Sequence, residues 1–503
     1  NQVRYHCPPR FDNETIERIQ VQAEQLFTIL GMQDCARFDG WLLPDGNIWF
    51  ADFNPVSGME QNSFLFQQAS RIGLSHRDVL RLIVRNSCRR QGIAFPDAAP
   101  AAADTRKPLA VLFGGETSER QVSLMSGTNV WLKLRRSKAY APEPYLLDRS
   151  GMVWRLPYAL TLNHTVEEVE ESCRFAESDE VRLRFLEQKV ALRLALRPGE
   201  ATEPMFVPQP MSLDTLLAEQ QFVFLGLHGG AGEDGTLQQQ FDASGVRYNG
   251  SGSAASHLCM DKHATAQALR GLEKDGIFVS PQRSMPLTAF ADCSAKHFAQ
   301  LWAELQAELG SHRIIVKPQA DGCSSGVLLL ASAHDLQTYL GLLLAGATQA
   351  YPGTFDGQTG IVELPGAGIT HVLFERFIET DRLVISNQRL KHTRRSGWVE
   401  VTVGVLEQGG SYHALAPSVT VAEGTVLSVE EKFQGGTGIN LTPPPPDIVG
   451  TTQLEAAKRR IEQVAQILGI GGYARIDAFI ETATGNIHVI EANTLPALTP
   501  STV

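Results

Sequence analysis

Apolar residues recur at three- and four-residue steps twice along the chain, as Ile16, Ile19, Ala23, Leu26 and Leu30 and again as Leu454, Ala457, Ile461, Val464 and Leu468. That spacing places each set on one face of a helix. Thr452 and Glu455 stand at the front of the second set, which predicts a capping box there. Elsewhere the pattern changes to short continuous apolar runs bounded by Gly, Pro or charge: "LAVLFGG", "FVFLGLHGG", "IIVKP", "VLLLAS" and "HVLFERFI". These read as buried strands and "AKHFAQLWAELQAEL" as a helix between them, so the expected class is α/β with α+β parts. Residues 165–210 are charged and show no period that places them.

Behind each amphipathic helix the chain says nearly the same thing. "ARFDGWLLPDGNIWFADFN" runs from Ala36 to Asn54, and "ARIDAFIETATGNIHVIEANT" from Ala474 to Thr494. Arg475 minus Arg37 and Asp477 minus Asp39 both give 438, whereas Glu491 minus Asp52 and Asn493 minus Asn54 both give 439. The extra residue belongs in the turn, "LPDGN" in one copy and "TATGN" in the other, both hairpin signals. Each unit is therefore a Pro-rich loop ("CPPR" or "TPPPP"), a helix, a strand, a turn, a strand and an Asn-containing loop. Residues 1–97 are expected to be the tail of a first unit whose front lies outside this chain. "PDAAPAAADTRKP" reads as a linker to a second unit opening near Leu109.

With 503 residues, 43% hydrophobic and 20% charged, the composition is that of an ordinary globular protein of several domains. A net charge of -11 argues against a broad nucleic-acid-binding face. Seven scattered cysteines form neither a disulfide framework nor a CxxC metal pair, which points to a reducing compartment and a cytoplasmic location. No apolar run is long enough to span a bilayer, and "NQVRYHCPPRF" has no signal-peptide core, so no membrane partner is expected. The chain does not open on Met, so Asn1 is not expected to be the true start.

Asp477, Glu491 and Asn493 supply only hard oxygen ligands from two adjacent strands, which suits Mg²⁺ bridging nucleotide phosphates. A surface hairpin with solvated charges is the plainer alternative, weakened by the repetition of the pattern. Lys317 ends an apolar strand immediately before "GCSSG", whose N–H groups could cradle phosphates. Lys262 and Lys432 could add positive charge, although any one lysine is most often solvated. "LHGGAGEDGTLQ" places His228 where a strand meets a Gly-rich loop, a usual ligand position in α/β proteins, or else a flexible connector. Glu119 and Arg120 stand at another strand end, as ligand contacts or as a helix-start salt pair.

Taken in order, "FGGETSERQVSLMSG", "LHGGAGEDGTLQ", "YNGSGSAASHLCMDK", "IIVKPQADGCSSG", "FERFI", "EEKF" and "ARIDAF...VIEANTLPALT" resemble the D-alanine-D-alanine ligase family of ATP-grasp enzymes. The resemblance covers about residues 107–503, and residues 1–97 resemble only the last quarter of the same fold. It implies a Rossmann-like N-terminal domain at 109–258, a central ATP-binding lobe at 259–370 and a C-terminal ATP-grasp lobe at 371–503. Before these stand a linker at 98–108 and the C-terminal part of another ATP-grasp unit at 1–97.

The implied activity is ATP- and Mg²⁺-dependent joining of a carboxylate to an amine through an acyl phosphate, in peptidoglycan precursor or peptide natural-product synthesis. By the same resemblance Lys262, Lys317 and the loop residues Cys323, Ser324 and Ser325 would bind ATP phosphates, and Glu375 with Ile378 the adenine. Lys432 would approach the γ-phosphate and Arg475 the oxyanion. Asp477, Glu491 and Asn493 would hold magnesium. Glu119, with Ser123 and His228 close by, would meet the first substrate's ammonium group, and Thr502 with Val503 a substrate carboxylate.

Departures from the family pattern are Cys323 for Ser, Arg382 for a ribose-binding Glu, Ala497 for Gly and Phe433 for Tyr. They motivate two alternatives: a non-catalytic ATP-grasp scaffold binding a nucleotide or cell-wall precursor, and a ligase forming a D-alanyl-D-lactate-type ester. The first tail keeps Arg37, Asp39, Asp52, Asn54, Gly58 and Ser63 and forms a candidate second site, expected to bind ATP only if completed by another lobe. Small amino acids are the expected partners, with a homodimer left open.

Overall fold

The structure is a computed structural model that describes residues 5–96, 105–117, 119–196, 203–320, 325–358, 360–366, 368–386, 389–421 and 439–500. Lys432, Cys323, Ser324, Thr502 and Val503 lie outside the described residues. The backbone groups into two compact units, residues 1–111 with 130–216 and residues 112–129 with 217–503.

In the first unit a helix, Asn13–Ile29, is capped by the Asp12 carboxylate, which accepts from Thr15 N at 2.6 Å. It precedes an antiparallel hairpin, Arg37–Leu42 and Ile48–Asn54. Helices Phe64–Ser70 and His76–Arg90 follow, the latter closed by a Ser75–Asp78 capping box. The unpatterned stretch proves to hold a long helix, Val166–Arg193, begun by Thr165 accepting from Glu168 N at 3.2 Å. Its buried residues, Val166, Glu168, Val169 and Cys173, all sit in its first turns. A helix buried over so short a length carries little period in its sequence.

The second unit holds the elements that position the candidate site. Four antiparallel strands lie in the order Gln282–Pro286, His371–Arg376, Ile314–Pro318, Leu328–Leu330. Alternation sends Ile314, Val316, Val372 and Phe374 into a core against the helix Ala295–Leu309. It leaves Lys317 and Glu375 on the opposite face.

A five-stranded sheet has the order Ser411–Ala414, Trp398–Gln408, Tyr473–Glu481, Ile487–Asn493, Ile277–Phe278. Val399, Val401, Val403, Ile476, Ala478 and Ile480 form its core face with the helix Thr451–Ile467, which contributes Leu454, Ala457, Ile461 and Val464. The predicted capping box is absent. Gly450 is the N-cap, with no side-chain cap bond, so the helix starts too early for Thr452 to serve; Glu455 instead takes Lys458 at 3.2 Å.

The two hairpins share a register as well as a sequence. Arg475 pairs Asn493 and Asp477 pairs Glu491; Arg37 pairs Asn54 and Asp39 pairs Asp52. The ladder slips directly after the Asp in both copies, leaving Ile490 and Ala51 without partners. Below the slip Ile487 and Val489 face the core, and above it Ala492 does. This bulge is what returns Glu491 to the face of Asp477, since one extra residue inverts the alternation of the strand beyond it. The length difference falls in the turn as expected: Leu43 N bonds Asn47 O in the short copy and Glu481 N bonds Asn486 O in the long one.

Candidate functional site

The polar face of the five-stranded sheet gathers opposite charges with little exposure. Arg475 Nη2 lies 3.0 Å from Asp477 Oδ2, and Thr402, across the neighbouring strand, donates to Asp477 Oδ1 at 2.8 Å. Burial alone would lower the Arg475 pKa, but Asp477, Glu491 and Glu233 outweigh it and hold the guanidinium protonated. Lys262 Nζ lies 3.6 Å from Glu491 Oε2. The Asn493 Nδ2 is buried without a hydrogen-bond partner among the described residues. Two carboxylates and the oxygen of one amide are the donor set of a hard divalent cation. Among the described residues no group of three His, Cys, Asp or Glu side chains could hold a metal.

The lysine of the central sheet reaches the same region through a short chain of bonds. Lys317 is buried and pairs with Glu375 Oε2 at 2.8 Å, while Gln282 Nε2 donates to the other oxygen of that carboxylate. Two residues further on, Gln319 O accepts from the backbone N of Lys262 at 3.1 Å, and the Gln319 amide donates to Asp261 at 2.8 Å. Asp261 in turn caps the helix Lys262–Leu269. Lys262 therefore bridges the end of the Lys317 strand and Glu491. Glu233, Lys262, Glu491, Asn493 and Thr494 line one small cavity. Ser325 is half-buried at the end of the loop after Lys317, and Ile378 is half-buried just past the Glu375 strand. Arg382 is exposed.

A second acidic pair flanks this cluster. Glu119 is buried, and its carboxylate sits where a Cβ at Gly229 would stand; Gly229 has φ +67°. Glu233, five residues beyond His228, accepts from Gly229 N at 2.9 Å and Leu495 N at 3.4 Å. Burial and then the Glu119 charge push its carboxyl up to about 7. Two like charges kept from water in this way form a site for a cation.

His228 has both ring nitrogens engaged within the protein. Its Nδ1 donates to Leu495 O at 2.9 Å, so Nε2 is the acceptor for the Ser126 hydroxyl at 2.8 Å, and burial lowers its pKa to about 4. Ser126 Oγ accepts from Leu498 N at 3.0 Å, and Asn129 Nδ2 donates to Leu498 O at 2.6 Å. His228, Ser126 and Asn129 thus pin the loop after Asn493. Ser123, expected among the catalytic residues, is fully buried with its hydroxyl spent: it accepts from Gly114 N and donates to Gly226 O, both at 2.8 Å. It ties two strand ends together. Sequence reasoning passed over Glu233, Ser126 and Asn129. Only Glu233 left a signal, an acid inside the glycine-rich loop.

In the first unit Arg37 pairs Asp39 at 3.1 Å with side chains 37% and 50% exposed, against 14% and 10% for Arg475 and Asp477. Asn54 turns its amide onto its own Asp52 at 3.0 Å. Gly58 is exposed, and Ser63 is the N-cap of Phe64–Ser70 without a cap bond. This set is spaced like the other, but its charges are solvated and no lysine is recorded with it among the described residues.

Residues 108–251 match the family model described as D-ala D-ala ligase N-terminus, and residues 1–85 and 374–503 both match the model for D-ala D-ala ligase C-terminus. The chain is 28% identical over 395 residues to a D-alanine–D-alanine ligase of Pediococcus pentosaceus, covering 78% of this chain and 90% of that protein. It is 25% identical over 403 residues to one of Leptospira interrogans, covering 78% and 91%. The fold is that of the D-alanine-D-alanine ligase from Coxiella burnetii, with a TM-score of 0.51 at 18% identity over 79% of this chain and 88% of that one. The VanG D-Ala:D-Ser ligase from Enterococcus faecalis gives 0.50 at 18% identity over 79% and 93%. Both models of one family, in their expected order and with the second repeated in the first tail, place this chain in the D-alanine–D-alanine ligase family, with the ATP-grasp fold.

Proposed function

We propose that the chain activates the carboxylate of one D-amino acid with ATP and joins it to the amine of a second, D-alanine being the first substrate by likeness to its named relatives. The observation that carries this reading is the bridging position of Lys262, which brings the strand of Lys317 and the oxygen set of Asp477, Glu491 and Asn493 to one place within one compact unit.

The substrate carboxylate attacks the γ-phosphorus, the bond to the β–γ bridging oxygen breaks, and ADP departs. The second amino acid, as its free amine, then attacks the acyl phosphate carbon, the C–O bond to phosphate breaks, and the departing phosphate takes up the proton the nitrogen sheds. Asp477, Glu491 and Asn493 would hold magnesium, which neutralises phosphate oxygens as charge moves onto the leaving group. Lys262 and Lys317 supply fixed positive charge beside those oxygens. Glu119 and Glu233 receive the ammonium group of the first substrate, which relieves their mutual repulsion. Arg475, held in place by Asp477, would face the oxyanion formed when the amine adds. The loop pinned by His228, Ser126 and Asn129 closes one wall and keeps Asn493 in register. The wider role in peptidoglycan precursor synthesis follows from the same family likeness.

The reading is tested by phosphate release from ATP and Mg²⁺ with and without D-alanine. Release that requires D-alanine and disappears in Lys317→Ala and Glu491→Gln supports it. Nucleotide binding with no turnover for any D-amino or D-hydroxy acid overturns it in favour of a binding scaffold.

A further inference from the structure

Resting on the nucleotide site proposed above, we infer that His488 is a binding residue for that nucleotide and makes a hydrogen bond through its ring nitrogen Nδ1 with the nucleoside half of the ligand. Phe479 pairs His488 two rungs below the Asp477–Glu491 pair, and the bulge at Ile490 sets both rungs on the same polar face of the sheet. The residue stands three positions from Glu491 and has no counterpart among the motifs that carry the family resemblance.

His488 is only 8% exposed, and its Nδ1 is buried with no hydrogen-bond partner among the described residues. A polar nitrogen kept from water without a partner is costly, and native structures retain one where a ligand or water completes it. Nε2 lies 3.4 Å from Ser280 Oγ, and the rings of Phe479 and Trp398 flank the imidazole at 6.0 and 6.3 Å. The ring is therefore held in one orientation. It lies within the fields of Lys317 and Glu375, the residues assigned to phosphate and adenine.

Burial, the largest influence, outweighs the opposing Glu375 charge and, with Lys317 adding to it, keeps the imidazole neutral near pH 7, its pKa down at about 4. A neutral ring brings no charge to a phosphate, so the matching ligand atoms are the neutral polar ones of the base or ribose. Because the Ser280 hydroxyl can donate or accept, Nδ1 can serve in either sense.

The test is calorimetric titration of the whole chain with ADP and Mg²⁺, for the wild type, His488→Leu and His488→Asn, alongside the melting temperature of each unliganded protein. The Leu variant is expected to bind ADP about 3- to 10-fold more weakly, while melting at or above the wild-type temperature because the unpaired nitrogen is gone. Asn, which offers a polar atom near the Nδ1 position, restores most of the affinity, and the KM for D-alanine stays unchanged. Equal ADP affinity for wild type and Leu overturns the inference and leaves the proposed function standing. So does parallel loss of stability and affinity in Leu, which makes the ring a structural element. A wild type that binds no nucleotide removes the functional reading and this inference with it.

Discussion

Replacing His228 by Asn tests whether the imidazole is a neutral strut or an ionisable group facing a substrate. Folded His228 resists protonation down to about pH 4, because burial, the larger cause, outweighs the bond to Leu495 O. In the unfolded chain the same ring titrates near 6.5. Between those values the unfolded state binds the extra proton, so stability rises with pH across the window. The contribution is fully present above pH 6.5 and lost as pH falls toward 4. A shift of this size corresponds to about 3 kcal/mol in all, or about 1.4 kcal/mol per pH unit.

Asn keeps a donor for Leu495 O but loses the partner of Ser126, so at pH 7.5 the variant should be less stable by about 1–2 kcal/mol. Because Asn does not titrate, the gap should shrink by about 2.5 kcal/mol by pH 4.5, and the two stability curves converge or cross. Urea unfolding of the full chain from pH 4.5 to 7.5, followed by tryptophan fluorescence, measures this. A gap that stays constant over the series would refute the neutral buried imidazole and the tautomer drawn from it.

Gly229→Ala should place a methyl group against the Glu119 carboxylate and force a side chain into φ +67°, ψ 169°, a conformation essentially confined to glycine, at about 1–3 kcal/mol of backbone strain. The KM for D-alanine at the first site should then rise about tenfold or more with the ADP affinity unchanged; an unaltered KM would remove Glu119 from that site. Asp381 accepts from Arg395 N, Ser396 N, Gly397 N and His392 Nε2 at 2.7, 3.0, 2.8 and 2.9 Å. Asp381→Ala should cost about 3 kcal/mol by stranding those donors, read as a lower urea midpoint, whereas Asp381→Asn, which keeps an acceptor, should cost less. Glu491→Gln should reduce phosphate release about a hundredfold or more, while Asp52→Asn, in the solvated copy, should leave it within about twofold. Equal losses from the two substitutions would mean that both hairpins serve one reaction.

What could be read from the chain depended on how much of each element is buried on a single face. The Thr451–Ile467 helix has four residues in the core at regular steps, and its period was plain; Val166–Arg193 is buried only at its start and left no trace. The hairpin partners followed from subtraction, because a strand alternates strictly and the two copies share their spacing. The bulge did not, since it occurs at the same step in both copies and cancels in the difference. Lys317 and Glu491 were legible as types of chemistry, but their connection through Gln319 and Lys262 is a tertiary fact. His228 was singled out for its position at a strand end, but that position did not reveal that both ring nitrogens are engaged with Leu495 and Ser126, where the ring braces the loop after Asn493. The capping residue was misplaced because Gly450, with no side chain to signal it, starts the helix ahead of Thr452.

The unpaired residue at 490 works as a phase marker for everything downstream of it. Excising it would leave every nearby side chain chemically intact yet turn Glu491 and Asn493 inward among the aliphatic residues and push Ala492 out toward the ligand. The order of amino acids in "VIEAN" is therefore meaningful only together with a count. A relative that loses one letter there must recover it within the same strand, or trade its catalytic surface for its interior.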